Sequence, residues 1–371
     1  NSDGTIVAIG GRNNDGNGDN SGHIRIYQYS NSAWNQLGGD IDGENGGDTS
    51  GYSVALNGNG TIVAIGAISN NGNGDNSGHA RIYQYNGSAN TWEKIGNDID
   101  GEAEGDMLGY SVSLNSDGTI VAIGSRNNDD GGNGSGHVRI YQYSNSAWNQ
   151  LGDDIDGEAD ADNSGFSVSL DSSGTIVAIG AILNDDNGES SGHVRIYQYN
   201  GSANTWEKIG EDIDGEDAGD LSGYSVSLNG NGTIVAIGAM QNDGNGGNSG
   251  HTRIYSYNGT IWSKIGEDID GEAINDRSGF SVSLNNDGTI VAIGSQLNDG
   301  NGESSGHARI YHYNGNTWSQ IGPDLDGEFA GDQFGISVSL NSAGTIVAIG
   351  ALHNDVNGDN SGHVRVYQLT N

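Results

Sequence analysis

The chain has no cysteine and a single proline, Pro323, in 371 residues. Without cysteine there is neither a disulfide framework nor thiol chemistry. Basic residues are also scarce: 13 Lys and Arg stand against 49 Asp and Glu, for a formal net charge of -36. Such a balance excludes a nucleic-acid surface, since phosphate binding needs clustered cations. It argues equally against an anionic membrane. A charge this large repels itself unless cations neutralise it, so the acidity reads either as a solvated surface or as a set of divalent-cation sites. No stretch approaches the ~20 apolar residues of a membrane helix. The longest apolar runs are short, such as Ile62 to Ala67 with its glycine. No amphipathic helical period runs beyond one turn. The chain opens inside a repeat, NSDGTIVAIG, and further sequence is expected upstream.

What is abundant is glycine, 66 residues, arranged with a period. The string GTIVAIG begins at 4, 60, 118, 174, 232, 288 and 344. Each repeat of about 56–58 residues reads as four short strands, lettered A to D. In strand A, Gly109 to Leu114, Tyr110, Val112 and Leu114 alternate with Ser111 and Ser113, giving one packing face and one small face. Strand B, TIVAIG, is apolar throughout and should be buried on both sides. Strand C places His137, Arg139 and Tyr141 on one face and Val138 and Ile140 on the other. Strand D starts at a tryptophan, as in Trp92 to Gly96. The A–B link, Ser116-Asp117-Gly118, is a tight hairpin turn. The expected fold is all-β: a seven-bladed β-propeller of four-stranded antiparallel blades, one domain over 1–371. A linear β-solenoid is the alternative. The first repeat lacks strand A and the last lacks strand D, so the end blades are incomplete and the chain is expected to be a window of a longer protein.

Strand A followed by strand B, Gly51 to Val54 and Val63 to Ala67, resembles the FG-GAP repeat, the blade of the integrin α-subunit propeller. Gly165-Phe166 and Gly279-Phe280 carry its FG in reversed order and Phe334-Gly335 in the usual order. Gly66-Ala67, Gly180-Ala181, Gly238-Ala239 and Gly350-Ala351 match GAP without the proline. The resemblance covers essentially the whole chain. It implies seven blades, an extracellular setting, calcium and binding rather than catalysis. One departure matters. The family's calcium loop lies between strands A and B, where this chain has only a turn such as Asn57-Gly58-Asn59-Gly60. Those calcium positions therefore cannot be carried over.

The B–C loop offers calcium a different place. It places oxygen-bearing side chains at alternate positions with glycine between, as a loop curling around six to eight oxygen ligands would. The candidate ligand sets are Asp15, Asn17, Asp19, Ser21; Asn71, Asn73, Asp75, Ser77; Asp185, Asn187, Glu189, Ser191; Asp299, Asn301, Glu303, Ser305; and Asp355, Asn357, Asp359, Ser361. The competing reading is an Asx-rich turn held by its own hydrogen bonds. The D–A loop, D-I/L-D-G-E-x-x-x-D, packs four carboxylates into nine residues, as in Asp98, Asp100, Glu102 and Asp106. Some of these should pair with the strand C arginines and others face a cation. Antiparallel topology puts both acidic loop sets at one end of the blades.

The histidine that opens strand C in every repeat is expected to be structural, bonding a loop carboxylate or carbonyl. The six tryptophans should pack between blades rather than present a sugar-stacking platform. Sequons at Asn59, Asn86, Asn133, Asn200, Asn231 and Asn258 are glycosylation sites if the chain is secreted through a eukaryotic path. Read at the level of these motifs, no blade departs from the rest. The function expected on these grounds is a non-enzymatic, extracellular, calcium-binding adhesion or structural module. Its partners would be cell-surface proteins, glycans or copies of itself, with no nucleic acid and no membrane insertion. A lectin propeller is the first alternative and a polysaccharide-active hydrolase the second.

Overall fold

The computed structural model describes residues 1–369. It is a seven-bladed β-propeller, with no helix among the described residues. The third blade shows the plan. Its strands are Ser111–Leu114 (A), Ile120–Ser125 (B), His137–Ser144 (C) and Ala147–Gln150 (D), paired antiparallel in that order. A fifth piece, Ile155–Asp156, pairs with the start of strand C, opposite Val138 and His137. This extra pairing was not expected. The D–A loop begins by returning along strand C, which places its carboxylates beside the strand C histidine. The first sheet has no strand A, and the last, Phe334–Leu340, Ile346–Ala351 and His363–Gln368, has no strand D among the described residues.

The chain forms two compact units, residues 1–179 with 197–207 and residues 180–196 with 208–371. In the first, Ala64, Ala80, Ile82 and Ile99 of the second blade pack on Val121 and Ile123 of the third. Ile120, Ala122, Val138 and Ile140 of the third pack on Leu170, Val177 and Ile179. Strand B thus spends alternate residues on its two neighbours, which is why it reads as apolar throughout. In the second unit Ala236, Ile254 and Ile269 meet Val282, Leu284, Val291 and Ile293, and Ala292, Ala308 and Ile310 meet Phe334, Val347 and Ile349.

Blade contact is close enough to select small residues. A Cβ on Gly124 would sit 2.1 Å from the Gly165 carbonyl oxygen of the next strand A. The serine face of strand A bonds that same neighbour: Ser111 Oγ donates to Gly165 O at 2.8 Å, and Leu170 N donates to Ser113 Oγ at 2.9 Å. Five of the six tryptophans, Trp92, Trp148, Trp206, Trp262 and Trp318, pack between blades, whereas Trp34 stacks on Tyr29 of its own blade. Trp148 Nε1 donates to Ile95 O of the preceding blade at 2.9 Å, and Trp262 Nε1 to Ile209 O at 2.9 Å. Asn115 closes the A–B turn by accepting the Thr119 and Ile120 N–H groups at 2.9 and 3.0 Å.

Candidate metal centre

The B–C loops use many of their polar side chains internally. The leading residue, Asp15, Asn71, Asp185, Asp299 or Asp355, accepts the N–H five residues on, at 2.7–2.8 Å. Asn17, Asn73, Asn187 and Asn301 donate to the carbonyls of the following D–A loop, for example Asn73 to Gly101 O and Glu102 O at 2.9 and 3.0 Å. Ser21, Ser77, Ser191, Ser305 and Ser361 donate back across the loop to Asn14, Asn70, Asn184, Asn298 and Asn354. Asp19, Asp75, Glu189, Glu303, Asn357 and Asp359 stand exposed at the rim. The loops are therefore braced against the D–A loops by contacts that an Asx-rich sequence makes by itself. Of the sequons, Asn59, Asn133, Asn231 and Asn258 are exposed, while Asn86 and Asn200 are half-buried and donate to Glu93 and Glu207 at 2.7 Å.

The D–A loop divides its carboxylates by role. Asp106 is buried and wraps its own loop, accepting the Glu102 and Ala103 N–H groups at 3.0 and 2.8 Å. That turn presents Glu102 to the next blade. There Arg139, on strand C, donates Nη2 to Asp100 O at 2.7 Å and sets Nη1 3.5 Å from Glu102 Oε1. The other carboxylate oxygen, Oε2, lies 3.9 Å from Nδ1 of His137. The same nitrogen is 3.9 Å from Asp154 Oδ2 and 3.9 Å from Asp156 Oδ1.

His137 is fully buried, and neither ring nitrogen has a hydrogen-bond partner. The expected bond to a loop carboxylate is thus not made: 3.9 Å is beyond hydrogen-bond reach. It is within reach of two ligands of one cation instead, since donors each about 2.1 Å from a centre lie about 3.9 Å apart at an angle near 136°. Burial, with Arg139 nearby, holds the imidazole down to about 3, so at neutral pH it is uncharged and keeps a lone pair to offer. The Glu102 carboxyl is pushed up by its partial burial and by Asp154 and Asp130, against the pull of Arg139. A cation between these groups relieves both strains. Glu102, Asp130, His137 and Asp154 each offer a ligand atom, all within 4.8 Å of one another, so this cluster could hold a metal ion.

Asp130 breaks the repeat. Its place in the loop is glycine at 16, 72, 244 and 300 and valine at 356. A Cβ on Gly300 would point to Asp326 Oδ1, 3.2 Å away, so a side chain here projects toward the D–A carboxylates. The fourth blade repeats the substitution: Asp186 Oδ2 is 3.9 Å from Nδ1 of buried His193. Asp130 and Asp186 were missed in the sequence because they hide in loops already crowded with Asp and Asn. Aligning the seven loops on their histidines reveals them. The histidines, one per blade, look structural in the sequence because they do not cluster until the D–A loops fold back along strand C.

The FG-GAP repeat family matches residues 325–367. No curated protein matches the chain in sequence. Solved structures share the fold. A candidate 6-phosphogluconolactonase from Bacteroides uniformis is 12% identical over 98% of this chain and 96% of its own, with a TM-score of 0.62. A periplasmic gluconolactonase of Pseudomonas aeruginosa is 11% identical over 99% of both chains, at a TM-score of 0.61. The hydrazine synthase of Kuenenia stuttgartiensis is 9% identical over 94% of this chain and 90% of its own, at 0.59. At such identities the likeness is one of fold. It corrects the expectation that the chain is not an enzyme. Proteins of this architecture are named as enzymes, and the unbroken symmetry from which that expectation was drawn is broken at Asp130.

Proposed function

The chain is a seven-bladed propeller carrying an FG-GAP repeat, and on that footing we propose that it is a metal-dependent hydrolase of lactones or related esters, centred on Glu102, Asp130, His137 and Asp154. The observation that carries the reading is Asp130, a carboxylate added to a His–Glu–Asp set at a position where five blades have glycine or valine and only the fourth shares the aspartate. Glu102, His137 and Asp154 supply one nitrogen and two oxygens, enough to hold a divalent ion and leave positions open. An ion held by these residues would polarise a carbonyl and make water more acidic. Asp130, exposed at the rim, accepts the proton as water adds to the ester carbon. The ring C–O bond then breaks and the same proton passes to the departing oxygen. Arg139 keeps Glu102 aimed. The two lactonases named among the structural relatives lend the substrate class, and nothing finer.

The test is hydrolysis of glucono-1,5-lactone and a panel of sugar lactones and aryl esters, followed by pH-stat with added first-row divalent ions. A metal-dependent rate above the spontaneous one is expected. The double variant Asp130→Gly, Asp186→Gly restores the residue found in other blades, so it should fold, bind metal and lose roughly 10²–10⁴-fold in rate. No metal-dependent rate on any substrate, or an unaffected double variant, overturns the reading.

A saccharide-binding role has its own observation. In the second unit an open cleft of about 520 Å³ is lined by Tyr255 and Trp262 together with Asn187, Asp214, Glu216 and Arg253. Apolar ring edges beside carboxylates and an amide suit a sugar's faces and hydroxyls. Quenching of tryptophan fluorescence by neutral oligosaccharides, absent in Trp262→Phe, is the expected result.

A further inference from the structure

We infer that Glu272, His307 and Asp324 form a second kind of metal site, a staple that ties the fifth blade to the sixth through a first-row divalent ion. It goes beyond the hydrolytic reading and does not depend on it. Glu272 follows Ile269–Asp270, the last piece of the fifth blade. His307 opens strand C of the sixth, and Asp324 precedes its final piece, Leu325–Asp326. An ion held by all three therefore bonds two blades at once.

Three observations support the site. Nδ1 of His307 lies 3.9 Å from Glu272 Oε2 and 3.8 Å from Asp324 Oδ2, too far for hydrogen bonds and right for ligands sharing a centre about 2.1 Å from each. His307 is 1% exposed and both its nitrogens lack a hydrogen-bond partner, a costly state for a buried ring. Two carboxylates balance the charge of one divalent ion. Arg309 occupies the far side of Glu272, with Nη1 3.6 Å from Oε1 and Nη2 donating to Asp270 O at 2.7 Å, and so fixes which oxygen faces the histidine. The nitrogen ligand favours Mn²⁺, Co²⁺, Ni²⁺ or Zn²⁺ over calcium, which takes oxygen. The corresponding loop position is Gly300, so no added carboxylate stands by to accept a proton, and the site's role is cohesion. Glu44, His79 and Asp98 make the same arrangement in the other unit.

Equilibrium dialysis of the full chain against Mn²⁺, with melting curves, tests the staple. Glu272 and Asp324 are partly exposed, so Glu272→Gln with Asp324→Asn should fold. This variant should bind one ion fewer per chain and show a smaller Mn²⁺-induced rise in melting temperature. Any lactone hydrolysis at the His137 centre should be unchanged. Co²⁺ gives a second readout: the visible absorbance of a nitrogen-ligated ion should fall in His307→Gln. Equal stoichiometry and equal melting shifts in wild type and the double variant overturn the staple. Loss of hydrolysis without loss of an ion counts against the staple, and the reverse result supports it whatever becomes of the hydrolase.

Discussion

At the scale of single residues, the decisive feature is a neutral imidazole with nothing to bond. Burial holds His137 down to about 3 and His79, His193 and His307 to about 4. An unfolded chain protonates histidine near 6.5. Between about 6.5 and 4, then, the unfolded chain carries protons that the folded one does not, and stability falls as pH drops through that window. In metal-free protein the melting temperature should decline steadily from pH 7 to pH 5, where most carboxylates are still ionised. A flat profile over that range would show that these rings are not held neutral by the fold. At the His137 cluster, Glu102→Gln keeps size and removes charge. It should weaken metal binding by at least about 10-fold, the least that loss of even an outer-shell partner costs, with little change in melting temperature without metal. Isothermal titration with Mn²⁺ measures it.

At the scale of the element, the blade junction is a lock between glycine and tryptophan. Gly96 follows strand D, Thr91–Lys94, with φ +75°, and a Cβ there would lie 2.6 Å from Trp148 Cδ1. Trp148 in turn donates to Ile95 O at 2.9 Å. Trp148→Phe, which loses the bond but keeps a ring, should cost about 1 kcal/mol. Trp148→Ala should cost roughly 3 kcal/mol through the cavity it opens. Gly96→Ala combines left-handed backbone with a clash and should also destabilise by more than 1 kcal/mol. Urea unfolding ranks the three, and an order with Phe worst would place the bond above the packing. The D–A loop is set by the same local logic. Asp106 folds the turn, Arg139 latches it to the next blade, and Glu102 is left facing His137.

At the scale of the whole molecule, a net charge of -36 sets the solution behaviour. Exposed carboxylates repel over a Debye length of ~8 Å at physiological ionic strength, so NaCl should raise the melting temperature gradually. Coordinated ions act differently, since they bind the folded chain: each site at 100 times its dissociation constant adds about 2.7 kcal/mol. We expect Mn²⁺ to stabilise more than calcium, and both more than NaCl of matched ionic strength, because the clusters offer imidazole as well as carboxylate. Identical melting curves in the three salts would mean that charge screening is all the cations do.

The sequence by itself determined the blade. Seven copies of an apolar strand B, a serine-faced strand A and a tryptophan-led strand D fix strands, turns and junctions, because these depend on a two-residue period and on contacts that recur in every repeat. It also placed both acidic loop sets at one end of the blades. What it could not give was which carboxylates meet which histidine. Glu102 lies 35 positions before His137, and Asp154 lies 17 after it. They come together only because the piece Ile155–Asp156 folds back along strand C while the preceding blade's loop is latched by Arg139. A one-per-blade histidine looks distributed along the chain, whereas packing one blade on the next turns those of the inner blades, such as His79, His137 and His307, into the buried corner of a cluster. The B–C loops, legible as oxygen-rich, use much of that oxygen to brace themselves, and only tertiary contact decided that the histidine–carboxylate clusters lie beside them.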